Sequence, residues 1–173
     1  DKVTIHPAPT LEDMRDALRE AQRKQPDWLI LDTEGSVRGA MAFTTMRLDL
    51  VVTPLAASQL EAIQAIKAAE MVAQFGRRAG RPLPHRCLLT RVPAALRPRS
   101  LKEVVEQLRG SGIEILDIPL IEKEAFRVLF AVGGGFDQLE ASGVSGVASA
   151  RANAEAYLGA ILALLEIPTA SSN

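Results

Sequence analysis

The run Pro26-Asp27-Trp28-Leu29-Ile30-Leu31-Asp32-Thr33-Glu34-Gly35 concentrates the residues that could do chemistry. Four apolar residues lead straight into an aspartate, and a glycine follows three places on. Asp-x-x-Gly suits a metal-bound phosphate: the carboxylate of Asp32 can hold Mg²⁺ directly or through water, and the backbone of Gly35 lets a terminal phosphoryl group approach with no side chain in the way. The plainer reading is a strand-end aspartate capping a turn. A second concentration is cationic. Arg91, Arg97, Arg99 and Lys102 fall between a strand and a helix, and Arg77, Arg78, Arg81 and Arg86 precede them. Such a group can contact phosphates, or it can be an ordinary solvated surface. No aromatic residue interleaves the arginines, which argues against base stacking.

These residues need elements to hold them. Trp28–Leu31 is too short for a free helix and suits a strand buried on both faces, with Asp32 at the sheet edge where open α/β sheets bind ligands. Val3–Ile5 reads as a short strand. Thr10 and Asp13 read as the cap of a helix with the stripe Leu11, Met14, Leu18 and Ala21. Residues 40–47 read as a short helix. Asp49–Thr53 reads as a second buried strand, stopped by Pro54. Ser58 with Glu61 predicts a helix to about Arg78 with Leu60, Ile63, Ile66 and Val72 inward, and Arg86–Thr90 is the next strand. Ser100 with Glu103 starts a helix carrying Leu101, Val104, Val105 and Leu108. Ile113–Ile118 is the last strand, followed by a helix over 123–130, a Gly133-Gly134-Gly135 break and a terminal helix marked by Ala154, Leu158, Ile161 and Leu165. The alternation predicts a single α/β domain over 1–173, with a mostly parallel sheet and helices on both faces.

Composition is that of an ordinary globule. Aromatic residues are 4% of the 173, so Ala, Leu, Val and Ile must build the core. The formal net charge of −1 gives no global attraction to nucleic acid or anionic membrane. The lone cysteine, Cys87, excludes an intrachain disulfide, fits a reducing cytoplasm and reads as core. With two histidines, of which His85 reads as surface or turn, a Cys/His metal site is not expected. No apolar run reaches membrane-spanning length.

Four landmarks in fixed order carry a resemblance: Leu29-Ile30-Leu31-Asp32-Thr33-Glu34-Gly35, Asp49-Leu50-Val51-Val52-Thr53-Pro54 with Ser58, Leu88-Leu89-Thr90-Arg91-Val92, and Ile118-Pro119 with Glu124-Ala125-Phe126. Together they resemble the ParA/MinD family of deviant P-loop ATPases, nearest the plasmid-type branch that includes accessory ATPases of T-DNA transfer. The resemblance implies a P-loop NTPase-like fold and an ATP-bound homodimer that acts as a switch in partition or conjugative DNA transfer in the cytoplasm. It also implies partition or conjugation proteins and non-specific DNA as partners, and ATP and Mg²⁺ as cofactors. Asp32 matches the Walker B aspartate, Gly35 the switch glycine near the γ-phosphate, Thr90 the base-reading position, and Pro119 with Leu120 the loop against the base. Arg91, Arg97, Arg99 and Lys102 match the part of the fold where such ATPases contact DNA. Glu34 and Thr90 depart from the commonest residues of the family.

The largest departure is the absence of Gly-x-x-x-x-Gly-Lys-[Ser/Thr]: no glycine in the chain is followed by lysine. The chain begins at Asp1 and reads as a protein entered partway through, with the P-loop expected upstream. As it stands it is expected to be inactive. The alternatives are a non-catalytic DNA- or protein-binding module on the same scaffold, or an amidoligase-like member of the same superclass.

Overall fold

A computed structural model describes residues 3–33, 48–93 and 99–166. The chain divides into two compact units, Asp1–Met46 and Arg47–Asn173.

In the first unit, helix α1 spans Leu11–Lys24. Its start is dictated by Thr10, whose side chain accepts from the Asp13 N–H at 3.1 Å while the Asp13 carboxylate accepts from the Thr10 N–H at 3.1 Å. That reciprocal pair satisfies donors a helix N-terminus otherwise leaves open. The helix stops at Gln25, which takes the left-handed conformation at φ 46° and donates its N–H to Ala21. Leu11, Met14, Leu18 and Ala21 are half-buried, as their spacing predicts. Both strands expected in this unit are corrected. Val3–Ile5 and Trp28–Leu31 are not strands, and Trp28, Leu29 and Ile30 are exposed. A strand is defined by the backbone it pairs with, and among the described residues neither segment has such a partner.

The second unit holds a parallel pair, β1 (Val51–Leu55) and β2 (His85–Leu89), in register from Val51–His85 to Leu55–Leu89. β1 runs through Pro54 instead of stopping there. The backbone groups of Val51 and Leu55 face β2, where the Val51 N–H donates to Pro84 and the Leu55 carbonyl accepts from Thr90. Pro54 therefore turns its missing N–H to the other side, the placement a strand tolerates. The segment expected as a last strand lies parallel to β2 but forms no continuous ladder with it: the bridge Cys87–Ile115 joins them, and beyond their ends Val92 bridges Ile121. Between these bridges the outer segment carries one more residue than β2, which breaks the ladder as a bulge does.

Helix α2 (Gln59–Arg78) connects β1 to β2, α3 (Arg99–Gly110) follows β2, and both meet the sheet in one core of Leu55, Ala62, Ala65, Cys87, Leu89, Val92, Leu101, Val104, Leu108 and Ile113. The inward face of α2 matches the predicted one at Ile66 and Val72 and departs from it at Leu60 and Ile63. Ala62, Ala65, Val72 and Gly76 are buried, whereas Leu60 and Ile63 are exposed. Alanine and glycine let the helix axis approach closely, and Gly76 shows how closely: a Cβ there would lie 2.9 Å from the Arg81 carbonyl oxygen.

Helices α4 (Glu124–Val132), α5 (Phe136–Ala141) and α6 (Val147–Glu166) form a second small core around Ala125, Leu139, Val147 and Ala150. The three glycines connect α4 to α5, with Gly133 and Gly134 at positive φ. α6 buries its N-terminal end, and Leu158 of the expected stripe is exposed. The predicted helix over 40–47 lies outside the described residues. No helix among the described residues is long and apolar enough to cross a membrane.

Candidate nucleotide-base edge of the sheet

In the second unit the carboxyl ends of three parallel segments meet, and each sends one turn beyond the sheet. After β1, Ala56–Ser58 leads into α2. Ser58 accepts from the Glu61 N–H at 3.2 Å, half of the predicted capping box. Glu61 reaches instead to the Ala56 N–H and pairs with Arg91 at 3.2 Å, so one carboxylate ties the turn after β1 to the turn after β2. Arg91 is left-handed at φ 51°, a conformation unusual for a residue with a Cβ. Thr90 is half-buried. Its N–H donates to the Leu55 carbonyl at 2.8 Å and its hydroxyl to the same oxygen at 3.3 Å.

The third turn is residues 117–122. The Leu89 carbonyl accepts from Leu120 at 2.8 Å, Val92 donates to Leu120 at 3.2 Å, and Glu122 donates to Val92 at 2.8 Å. Pro119 and Leu120 are half-buried. On the opposite side of this turn stands Asn153 of α6. Its Oδ1 accepts from the Ile121 N–H at 2.7 Å and its Nδ2 donates to the Pro119 carbonyl at 3.0 Å. Lys123 also reaches α6, donating to Ser149 at 2.7 Å. Thr90, Pro119 and Leu120, singled out in the sequence, thus lie on adjacent segments at one sheet edge. Glu61 was singled out only as a helix-capping partner, and Asn153 not at all. The sequence signal for Asn153 is a weak helix former inside the alanine-rich run 150–156.

Asp32 is exposed and belongs to the first unit, and Gly35 lies outside the described residues. Among the described residues no three His, Cys, Asp or Glu side chains gather as a metal site. Among the described residues, this edge presents the half-buried Thr90 hydroxyl beside the half-buried Pro119-Leu120 turn.

Four members of the cationic group pair with acids. Arg91 pairs with Glu61, Arg99 with Glu103 at 2.9 Å, Lys102 with Glu106 at 3.8 Å and Arg86 with Glu114. Arg97 lies outside the described residues. His85 is a correction: it is half-buried on β2, and its Nε2 lies 2.9 Å from the Thr53 hydroxyl. Burial first, and then the neighbouring Arg86, hold the imidazole below its ordinary value. Cys87 is fully buried, as its apolar surroundings predict, and burial pushes its thiol up to about 11.

No protein-family model matches the chain. It is 29% identical over 133 residues to Protein ParA of Rhizobium radiobacter, a match covering 77% of this chain and 60% of that protein. The chain thus spans less than two thirds of the length of the relative it matches. This similarity supports a relationship of the chain to the ParA family.

Proposed function

We propose that this chain is part of a ParA-type ATPase whose nucleotide-dependent self-association serves plasmid partition or conjugative DNA transfer. The observation that carries the reading is the similarity to Protein ParA across most of the chain. The sheet edge described above is compatible with it, because a ligand lying across the carboxyl ends of parallel segments is what α/β sheets hold. In this reading the fold is a larger, mostly parallel sheet and the chain contributes to one nucleotide-binding domain. Thr90, Pro119 and Leu120 form the base side. By the resemblance alone, Asp32 would order Mg²⁺, which would supply charge neutralisation, and Gly35 would lie near the γ-phosphate. The remaining groups for phosphoryl transfer would come from a phosphate loop that the 173 residues do not contain.

The test is ATP binding and turnover by the native full-length protein with Mg²⁺. Saturable binding of a fluorescent ATP analogue and slow hydrolysis are expected. Asp32→Ala is expected to lower hydrolysis by more than about tenfold, equivalent to ~1.4 kcal/mol of lost transition-state stabilisation. Undiminished hydrolysis removes Asp32 from the phosphate side, and a native protein that binds no ATP overturns the reading.

A further inference from the structure

Every backbone group at a sheet edge needs a partner, and the outer edge of residues 119–121 finds its partner in a side chain. Leu120 turns both its N–H and its carbonyl toward β2. The flanking groups, the Pro119 carbonyl and the Ile121 N–H, therefore point away from the sheet. A neighbouring strand would meet such a pair with one N–H and one C=O. Asn153 meets it with its carboxamide, Oδ1 on the Ile121 N–H and Nδ2 on the Pro119 carbonyl. We infer that Asn153 is a positioning residue that fixes the shape of the 119–121 turn from α6 and so sets the surface this turn presents to a nucleotide base. The ligand part of this inference rests on the function proposed above, whereas the hold on the turn does not.

Three observations carry it. The two hydrogen bonds address one peptide-length stretch, so they fix its orientation as well as its position. An amide is the one common side chain that supplies a donor and an acceptor in this geometry; a carboxylate would set an oxygen against the Pro119 carbonyl and lose the donor. The helix that bears Asn153 is itself anchored, because Val147 and Ala150 are buried among α4 and α5. Asn153 thus transmits the placement of the three-helix core to the turn.

The experiment compares the native full-length protein with Asn153→Ala and Asn153→Asp, reading amide hydrogen exchange and binding of a fluorescent ATP analogue. In N153A the Ile121 amide is expected to exchange roughly tenfold faster or more, with the Cys87 and Leu88 amides unchanged. N153D keeps the acceptor and should retain protection at Ile121. Analogue affinity should fall about tenfold in N153A while kcat at saturation stays within about twofold, the signature of lost positioning of bound ligand. Unchanged exchange at Ile121 overturns the inference, and so does raised exchange with unchanged affinity. If the unsubstituted protein binds no ATP, the nucleotide reading fails, and the exchange comparison alone decides whether Asn153 holds the turn.

Discussion

At the scale of single residues, His85 and Cys87 are two side chains of the sheet whose chemistry burial alters. Cys87 reads as a core residue in its apolar run, and it is one. The tertiary structure adds the consequence, a thiol pushed up to about 11 by burial and so poor in thiolate at neutral pH. His85 was not legible. Its neighbours in sequence are Pro84 and Arg86, which suggest a turn, but the parallel register sets its ring beside Thr53, more than thirty positions away. The sign of its pH effect follows from burial. The folded-state value is lowered, so the native chain binds fewer protons than the unfolded chain near pH 6.5. Its contribution to stability is present above that value and is lost as pH falls through the lower folded-state value. Urea unfolding at pH 7.5 and 5.5 should show a lower midpoint in acid, and His85→Asn should flatten the difference. An unchanged pH dependence in that variant assigns the acid loss elsewhere.

At the scale of elements, caps and turns were the most legible features because they are local. Thr10 with Asp13 starts α1, as their spacing in the sequence predicts, whereas the left-handed Gln25 that ends it is seen only in the structure. Helix facing was less legible. The leucine and isoleucine positions of α2 suggest one face, but the close approach to the 81–83 turn selects the alanine-glycine face. Gly76→Ala tests that choice. Overpacking of about 1–3 kcal/mol should outweigh the roughly 1 kcal/mol gain in helix propensity, giving a net loss in thermal stability. Gly110→Ala is the control, at the end of α3 where an added Cβ meets nothing within 4 Å. It should stabilise by about 0.4–1 kcal/mol. Equal effects at the two sites would refute close packing at Gly76. The last strand was only partly legible, because the extra residue between its two bridges depends on pairing with β2.

At the scale of the whole molecule, charge bears on the proposed partners. Within a net charge of −1, Arg91, Arg99 and Lys102 are each matched with an acid. If α3 is a DNA-facing element, Glu103 and Glu106 restrain it. The double variant Glu103→Gln/Glu106→Gln should then bind non-specific duplex more tightly, with a slope of log K against log salt steeper by up to about two. A salt titration by fluorescence anisotropy reads this directly, and an unchanged slope removes Arg99 and Lys102 from any DNA surface.

The sequence by itself determined the cap of α1, most helical stretches among the described residues, the apolar core composition and the order of landmarks that resembles ParA-type ATPases. Each of these is encoded within a few residues or in their order along the chain. Only the tertiary structure decided that Pro54 sits within a strand, that Trp28–Leu31 does not form one, that α2 packs through its small residues and that Asn153 holds the 119–121 turn. These depend on which backbone lies beside which. A hydrogen bond across more than thirty residues leaves no periodicity for a local pattern to reveal.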